Sequence, residues 1–142
     1  PMTGREYLNQ IRDTDLNIKC KEREVLRLQQ DIMYLQALDY SKDIVSGGQP
    51  ITFEDKIANI DALSNELMRE WSGYLRERER ARFLINAISS AKQKAVLIDR
   101  YINCYTWEKV AELIGCSVQN IYNLHKRAIR NFEVIFKKVD SI

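Results

Sequence analysis

Between residues 118 and 138 stand Lys126, Arg127, Arg130, Lys137 and Lys138, with Glu133 as the sole acid. Three amides, Gln119, Asn120 and Asn123, lead the segment. With Ile121 set at zero on a helical wheel, Leu124, His125, Ala128, Phe132, Ile135 and Val139 fall within about 60° of it. The opposite face carries Gln119, Asn123, Lys126, Arg130 and Lys137, flanked by Asn120 and Arg127. That arrangement suits recognition rather than bond-making. Side-chain amides pair with adenine edges through two hydrogen bonds, and Lys and Arg neutralise phosphates. A helix that only faces water would more often mix in acids.

The other reactive groups do not assemble into a site. Cys20, Cys104 and Cys116 are odd in number and widely spaced, without a CxxC pair. Together with His125 they lack the ligand pairing of a zinc finger, so no metal and no cofactor is expected. The cysteines read as small apolar side chains. No metal-carboxylate cluster, phosphate loop or nucleophile–base pair appears, and the chain is not expected to be an enzyme. His125 lies at the apolar edge of its helix and reads as a packing residue. Trp107 and Tyr101 could stack on bases, but as amphipathic aromatics they are expected in the core.

The elements that must carry the outer face are all helical. Gly and Pro are rare and cluster in "SGGQP" at Ser46–Pro50, a break between helices. Before it, Ile11, Ile18, Val25 and Ile32 recur every seventh residue. Tyr7, Thr14, Lys21, Leu28 and Leu35 fill the second seam position. This predicts one helix over about 3–38, well packed in its C-terminal half and poorly in its middle, about 50 Å long and in need of a partner. After the break, Thr52 is positioned to cap a second helix. Ile57, Ile60, Leu63, Leu67, Trp71, Tyr74 and Leu75 form its stripe. "RERERAR" (Arg76–Arg82) continues it with charges facing water, and Phe83, Leu84, Ile85 and Ile88 resume the apolar face. An antiparallel hairpin of the two helices that also contributes to self-association is expected, with pairing between chains as the competing arrangement. The fold class is thus all-α: a long N-terminal helical hairpin of coiled-coil character over 1–88, with a linker near 41–51, then a helix-turn-helix domain over 89–142.

In that last part, Ser90 and Gln93 form a capping-box pattern. Ala91, Val96, Leu97, Tyr101 and Ile102 are expected to point inward from a helix that Asn103 ends in left-handed geometry. Thr106 caps the next helix, with Glu108 in its first turn. Taking Trp107 as first position, Ala111 is fifth, where two crossing helices require a small side chain. Gly115 is ninth, where the turn needs positive φ. Val110, Ile114, Val118, Ile121 and Leu124 supply the apolar wedge, and Ser117 caps a recognition helix from about 118.

The stretch "LIDRYINCYTWEKVAELIGCSVQNIYNLHKRAIRNF" resembles region 4 of sigma-70-type factors. It is still more similar to the small phage transcription activators of the RinA/ArpU type, through Arg100-Tyr101-Ile102, Thr106-Trp107, Ala111, Gly115, Ser117, Tyr122, His125, Ala128 and Phe132. The likeness extends over about 35–135 and is looser before the C-terminal part. Cys104 stands where a glycine is usual, and Asn103 is expected to supply the unusual backbone angle. The resemblance implies a phage-encoded activator of late genes that binds double-stranded promoter DNA. On that pattern Ser117, Gln119, Asn120, Tyr122 and Asn123 would read bases, and Lys126, Arg127 and Arg130 would hold phosphates. Contact with RNA polymerase is a further implication. Competing readings are a helical interaction module and a DNA-recognition protein similar to phage small terminases.

Charge distribution agrees with an anionic partner for the C-terminal part. Residues 92–142 hold nine Lys and Arg against five Asp and Glu, whereas residues 1–91 hold 13 against 15. Pro1 precedes Met2, where a natural start is expected. With no charged-then-apolar leader and no long apolar run, the expected location is the cytoplasm of a bacterial host, without membrane contact. A homodimer or higher oligomer through the N-terminal helices is expected, because one helix-turn-helix binds weakly and dimers read two half-sites.

Overall fold

A computed structural model of the chain describes residues 1–41 and 53–140. Ser46–Pro50, the linker near 41–51 beyond Ser41 and the cap assigned to Thr52 lie outside the described residues. Among the described residues, five α-helices follow in order: α1 (Gly4–Ser41), α2 (Phe53–Ile85), α3 (Ala91–Leu97), α4 (Trp107–Ile114) and α5 (Val118–Asp140), with a π-helical turn at Ile98–Ile102 after α3. No strand occurs among them. The chain forms two compact units, residues 1–15 with 73–142, and residues 16–72. The division at residue 88 drawn from the sequence runs inside the first unit.

In the unit of residues 16–72, polar contacts join α1 to α2. The Lys21 ammonium sits between Glu66 and Glu70 at 2.8 and 2.7 Å, and Trp71 Nε1 donates to Glu22 at 2.9 Å. Farther along, Lys56 reaches Asp31 at 3.5 Å. Later residues of α1 thus meet earlier residues of α2, so the segments run antiparallel here. Lys21 is tolerated on the seam because its charge lies between two carboxylates rather than in hydrocarbon.

Burial along α1 differs from the expectation. Val25, Leu28, Ile32 and Leu35 are only partly buried, whereas Tyr7, Leu8, Ile11 and Ile18 are fully covered. The cause at the first turns is α5. Tyr7 stacks on Phe136 at 5.1 Å and on Phe132 at 6.5 Å between ring centroids. Gly4 allows that approach, because a Cβ there would stand 2.9 Å from Phe132 Cδ2. Thr3 and Glu6 form a reciprocal capping box, each side chain accepting the other's backbone N–H, at 3.1 and 2.9 Å. Glu133, the lone acid of α5's middle, accepts the Arg5 N–H at 2.9 Å, placing a carboxylate at the positive end of α1.

The same contact shifts the buried stripe of α5. Ile129, about 80° from Ile121 and so beyond that face, is buried, as is Phe136 at its edge, while Val139, drawn at its centre, is exposed. Two inward expectations elsewhere also fail. Ala91, first residue of α3, is exposed, and Phe83 is 75% exposed because Ala81, Leu84 and Ile85 form the covered side of α2.

The helix expected over 91–102 ends as an α-helix at Leu97. Beyond it the Asn103 N–H reaches back five residues to the Ile98 carbonyl at 2.9 Å. This wider turn delays the chain reversal by one residue. Asn103 stays right-handed at φ −85°, and Cys104 takes the left-handed angle, φ 61°. Cys104, where the resemblance drawn from the sequence leads one to expect a glycine, is thus the residue with positive φ, and the expectation that Asn103 supplies that angle is corrected.

α3, α4 and α5 enclose a core of Val96, Val110, Ala111 and Ile121, against which Trp107, Ile114, Cys116, Val118 and Leu124 pack. Gly115 links α4 to the turn at φ 85°. Replacing Gly115 with Ala forces a left-handed L-residue and should lower unfolding free energy by about 1–2 kcal/mol. Gly73 lies inside α2, and a methyl group added there would meet no atom within 4 Å. Gly73→Ala should therefore raise stability by about 0.5–1 kcal/mol. Urea denaturation of both variants checks the opposite signs.

Candidate functional site

The amino terminus of α5 is set by three consecutive devices. Left-handed Gly115 lets its own N–H and that of Cys116 bond the Ala111 carbonyl at 2.8 and 3.1 Å, closing α4. Ser117 then caps α5, its Oγ accepting the Asn120 N–H at 3.1 Å while its carbonyl accepts from Ile121 at 3.0 Å. Ile121, fully buried, fixes the rotation of the helix about its axis.

All eight residues singled out in the sequence are exposed: Ser117, Gln119, Asn120, Tyr122, Asn123, Lys126, Arg127 and Arg130. At the helical period, Gln119, Asn123, Lys126 and Arg130 share one line, with Asn120 and Arg127 to one side. Tyr122 lies to the other side and leans edge-on against Trp107 at 5.4 Å. Ser117 is committed as a cap through its oxygen, leaving its hydroxyl proton for a further partner. Among the described residues no carboxylate pairs with Lys126, Arg127 or Arg130. The surface is therefore a set of amide donors and acceptors followed by uncompensated cations.

Sequence reasoning missed the polar and aromatic cluster beside this face. The Tyr101 hydroxyl meets His125 Nε2 at 2.7 Å, and Trp107 packs edge-on against the His125 ring at 4.7 Å. Arg100 lies over the Trp107 ring at 4.3 Å and donates to the Tyr105 carbonyl at 3.0 Å. The signal for it is in "RYI" and "TW", which bring a cation and aromatic rings together across the bend. On the far side, Asn131 Nδ2 donates to Gln93 Oε1 at 2.6 Å, tying α5 to α3. His125 is half-buried, as a packing residue should be.

Burial, then the charges of Arg5 and Arg100, push the His125 pKa down to about 4. Burial also raises that of Tyr101. At neutral pH the pair is thus an uncharged phenol and a neutral imidazole. Among the described residues no three His, Cys, Asp or Glu side chains are grouped to hold a metal, and no helix is long and apolar enough to cross a membrane.

A histidine whose pKa falls on folding makes the folded state lose stability as protons bind the unfolded chain. The contribution is complete above pH 6.5 and is lost as pH falls from 6.5 toward 4. Partial exposure reduces the effect to about 1–2 kcal/mol. Between pH 6.5 and 5, above the carboxylate range, urea midpoints should fall for the native chain and change less for His125→Gln.

No curated protein and no solved structure matches the chain. Residues 34–133, most of the chain and the whole of α3, α4 and the exposed amide-and-cation face of α5, match the family described as "Protein of unknown function (DUF1492)", and the chain belongs to that family.

Proposed function

We propose that the chain is a sequence-specific DNA-binding transcription regulator. In this reading α4, the Gly115 turn and α5 act as a helix-turn-helix of the sigma-region-4 type, with α5 as the recognition helix. α1 and α2 act as a helical hairpin that supports it. One observation carries the reading: a helix capped at Ser117 exposes amides at its first turns and unpaired cations after them. A major groove admits one helix and offers acceptors and donors to its amides, while the phosphates on either side take cations. Gln119, Asn120 and Asn123 would read base edges, with Ser117 and Tyr122 beside them, and Lys126, Arg127 and Arg130 would hold the backbone. The resemblance to phage activators supports a phage-encoded activator of late genes, working in the cytoplasm of a bacterial host and touching RNA polymerase.

A duplex selected from a random pool supplies the test. Asn123→Ala should weaken binding by about 1–3 kcal/mol and relax preference at the base pair it reads. Arg127→Ala should weaken all duplexes alike and lower the slope of log K against log salt by about 1. Unchanged affinity and slope in both variants would remove α5 as the recognition element.

The long helices favour self-association as a second element of the reading. Leu26, Met33 and Tyr34 on α1 and Met68 on α2 are large apolar side chains left exposed, Met33 to 67%. A second copy through these helices would cover them and bring two recognition helices onto one duplex. Light scattering of Leu26→Glu/Met33→Glu should show dissociation at concentrations about tenfold or more above those of the native chain, since a charge buried without a partner opposes assembly. A monomeric native chain would contradict this element and leave the DNA face untouched.

A further inference from the structure

Three arginines outside the face just described, Arg5, Arg12 and Arg100, act with their charges on one hydroxyl, that of Tyr101. Arg5 and Arg12 lie on α1, seven residues apart and so on one side, about 10 Å from each other along the axis. Arg100 comes from the π-helical turn and lies over Trp107, whose edge meets Tyr122. All three are close enough to the Tyr101 hydroxyl for their charges to act on it, and Arg5 and Arg100 act on His125 in the same way. All these residues belong to one compact unit.

The cluster is uncompensated. Among the described residues no carboxylate pairs with Arg5, Arg12 or Arg100. Arg12 Nε is buried and has no hydrogen-bond partner. A buried cationic N–H without an acceptor is costly, and gathering further positive charge about it adds repulsion; burial, and after it the Arg12 charge, disfavours the charged form of Arg100. Such a cluster is relieved by an anion with several oxygens, which guanidinium groups bind through forked hydrogen bonds.

We infer that the first three turns of α1 belong to the DNA face, with Arg5 and Arg12 joining Arg100 in a clamp on the phosphates beside the groove that α5 enters. This rests on the DNA-binding reading and extends it to a helix outside 89–142. Continuity with that face is given by Arg100 over the Trp107 ring and by Trp107 edge-on to Tyr122, which stands on α5 itself. The clamp grips backbone and not bases, so it sets affinity and salt dependence and leaves sequence preference unchanged. The aromatic packing of Tyr7 on Phe132 and Phe136 holds α1 against α5, so the arginines keep a fixed distance from the recognition helix.

Fluorescence anisotropy on the selected duplex, with the full chain across a salt series, tests the clamp. Arg5→Gln/Arg12→Gln should weaken binding about tenfold or more and lower the salt slope by about 2, one for each phosphate released. Arg5→Lys/Arg12→Lys should recover most of the slope. Arg5→Gln alone, at an exposed position, should lower the slope by about 1 without changing the melting temperature, which separates lost contact from lost folding. Native affinity and slope in the double Gln variant would overturn the clamp. If Asn123→Ala and Arg127→Ala weaken binding and the Arg5 and Arg12 variants do not, the clamp alone fails. If the reverse holds, the arginines bind phosphates but not beside a groove that α5 enters, and both the recognition role of α5 and the clamp as stated fail. Absence of duplex binding by the native chain ends both. Should inorganic phosphate stabilise the native chain and not the double variant, with duplex binding equal in the two, the site takes a free anion and the clamp is wrong.

Discussion

The burial of Ile121 between Val96, Val110 and Ala111 is the constraint on which the rest depends. A helix is a rigid wheel, so sealing one side chain into a core decides where every other side chain points. With Ile121 inward, Gln119, Asn123, Lys126 and Arg130 must face out. Ala111 and Gly115 make that burial feasible. The first is small enough for α4 and α5 to cross closely, and the second reverses the chain within a short turn. The chemistry of the outer face is thus a consequence of how an apolar wedge is packed, and loss of the wedge would scatter the face before it altered any amide or cation on it.

A second constraint acts at the other end of α5. Tyr7, Phe132 and Phe136 form one aromatic cluster, and Gly4 lets α1 come close enough to make it. Glu133 caps α1 through the Arg5 N–H. The one carboxylate in the middle of a basic helix is therefore occupied by its neighbour and does not neutralise the exposed cations. The same contact carries Arg5 and Arg12 toward Tyr101 and His125. Fold and electrostatics here have a single origin, the docking of the first turns of α1 on α5.

Local grammar is legible in the sequence wherever one residue type answers one backbone need. Gly115, Ser117, Thr106 and Ser90 fall where the turn and the caps require them, and the wedge residues follow from helical spacing. All-helical character follows from composition and periodicity. What escapes is set by contacts distant in sequence. The heptad pattern of α1 suggests good packing late in the helix. Burial is instead greatest early, because α5 covers residues more than a hundred positions away. Ile129 lies outside a face drawn for an isolated helix and Val139 at its centre, yet the first is buried and the second exposed. The π-helical turn shifts positive φ from Asn103 to Cys104, since no propensity signals a five-residue hydrogen bond. The outer face of α5 is readable because exposure follows from Ile121 alone. The arginine cluster is not, because its members come from two elements whose meeting only the fold brings about.

Side-chain NMR tests whether the outward face of α5 meets duplex DNA. Titrating the full chain with its selected duplex should move the side-chain amide signals of Gln119, Asn120 and Asn123 and the guanidinium signals of Arg127 and Arg130. The signals of Lys21, Glu66 and Trp71 should stay in place. Stationary amides on α5, with shifts confined to residues 16–72, would contradict the account and assign the partner to the long helices.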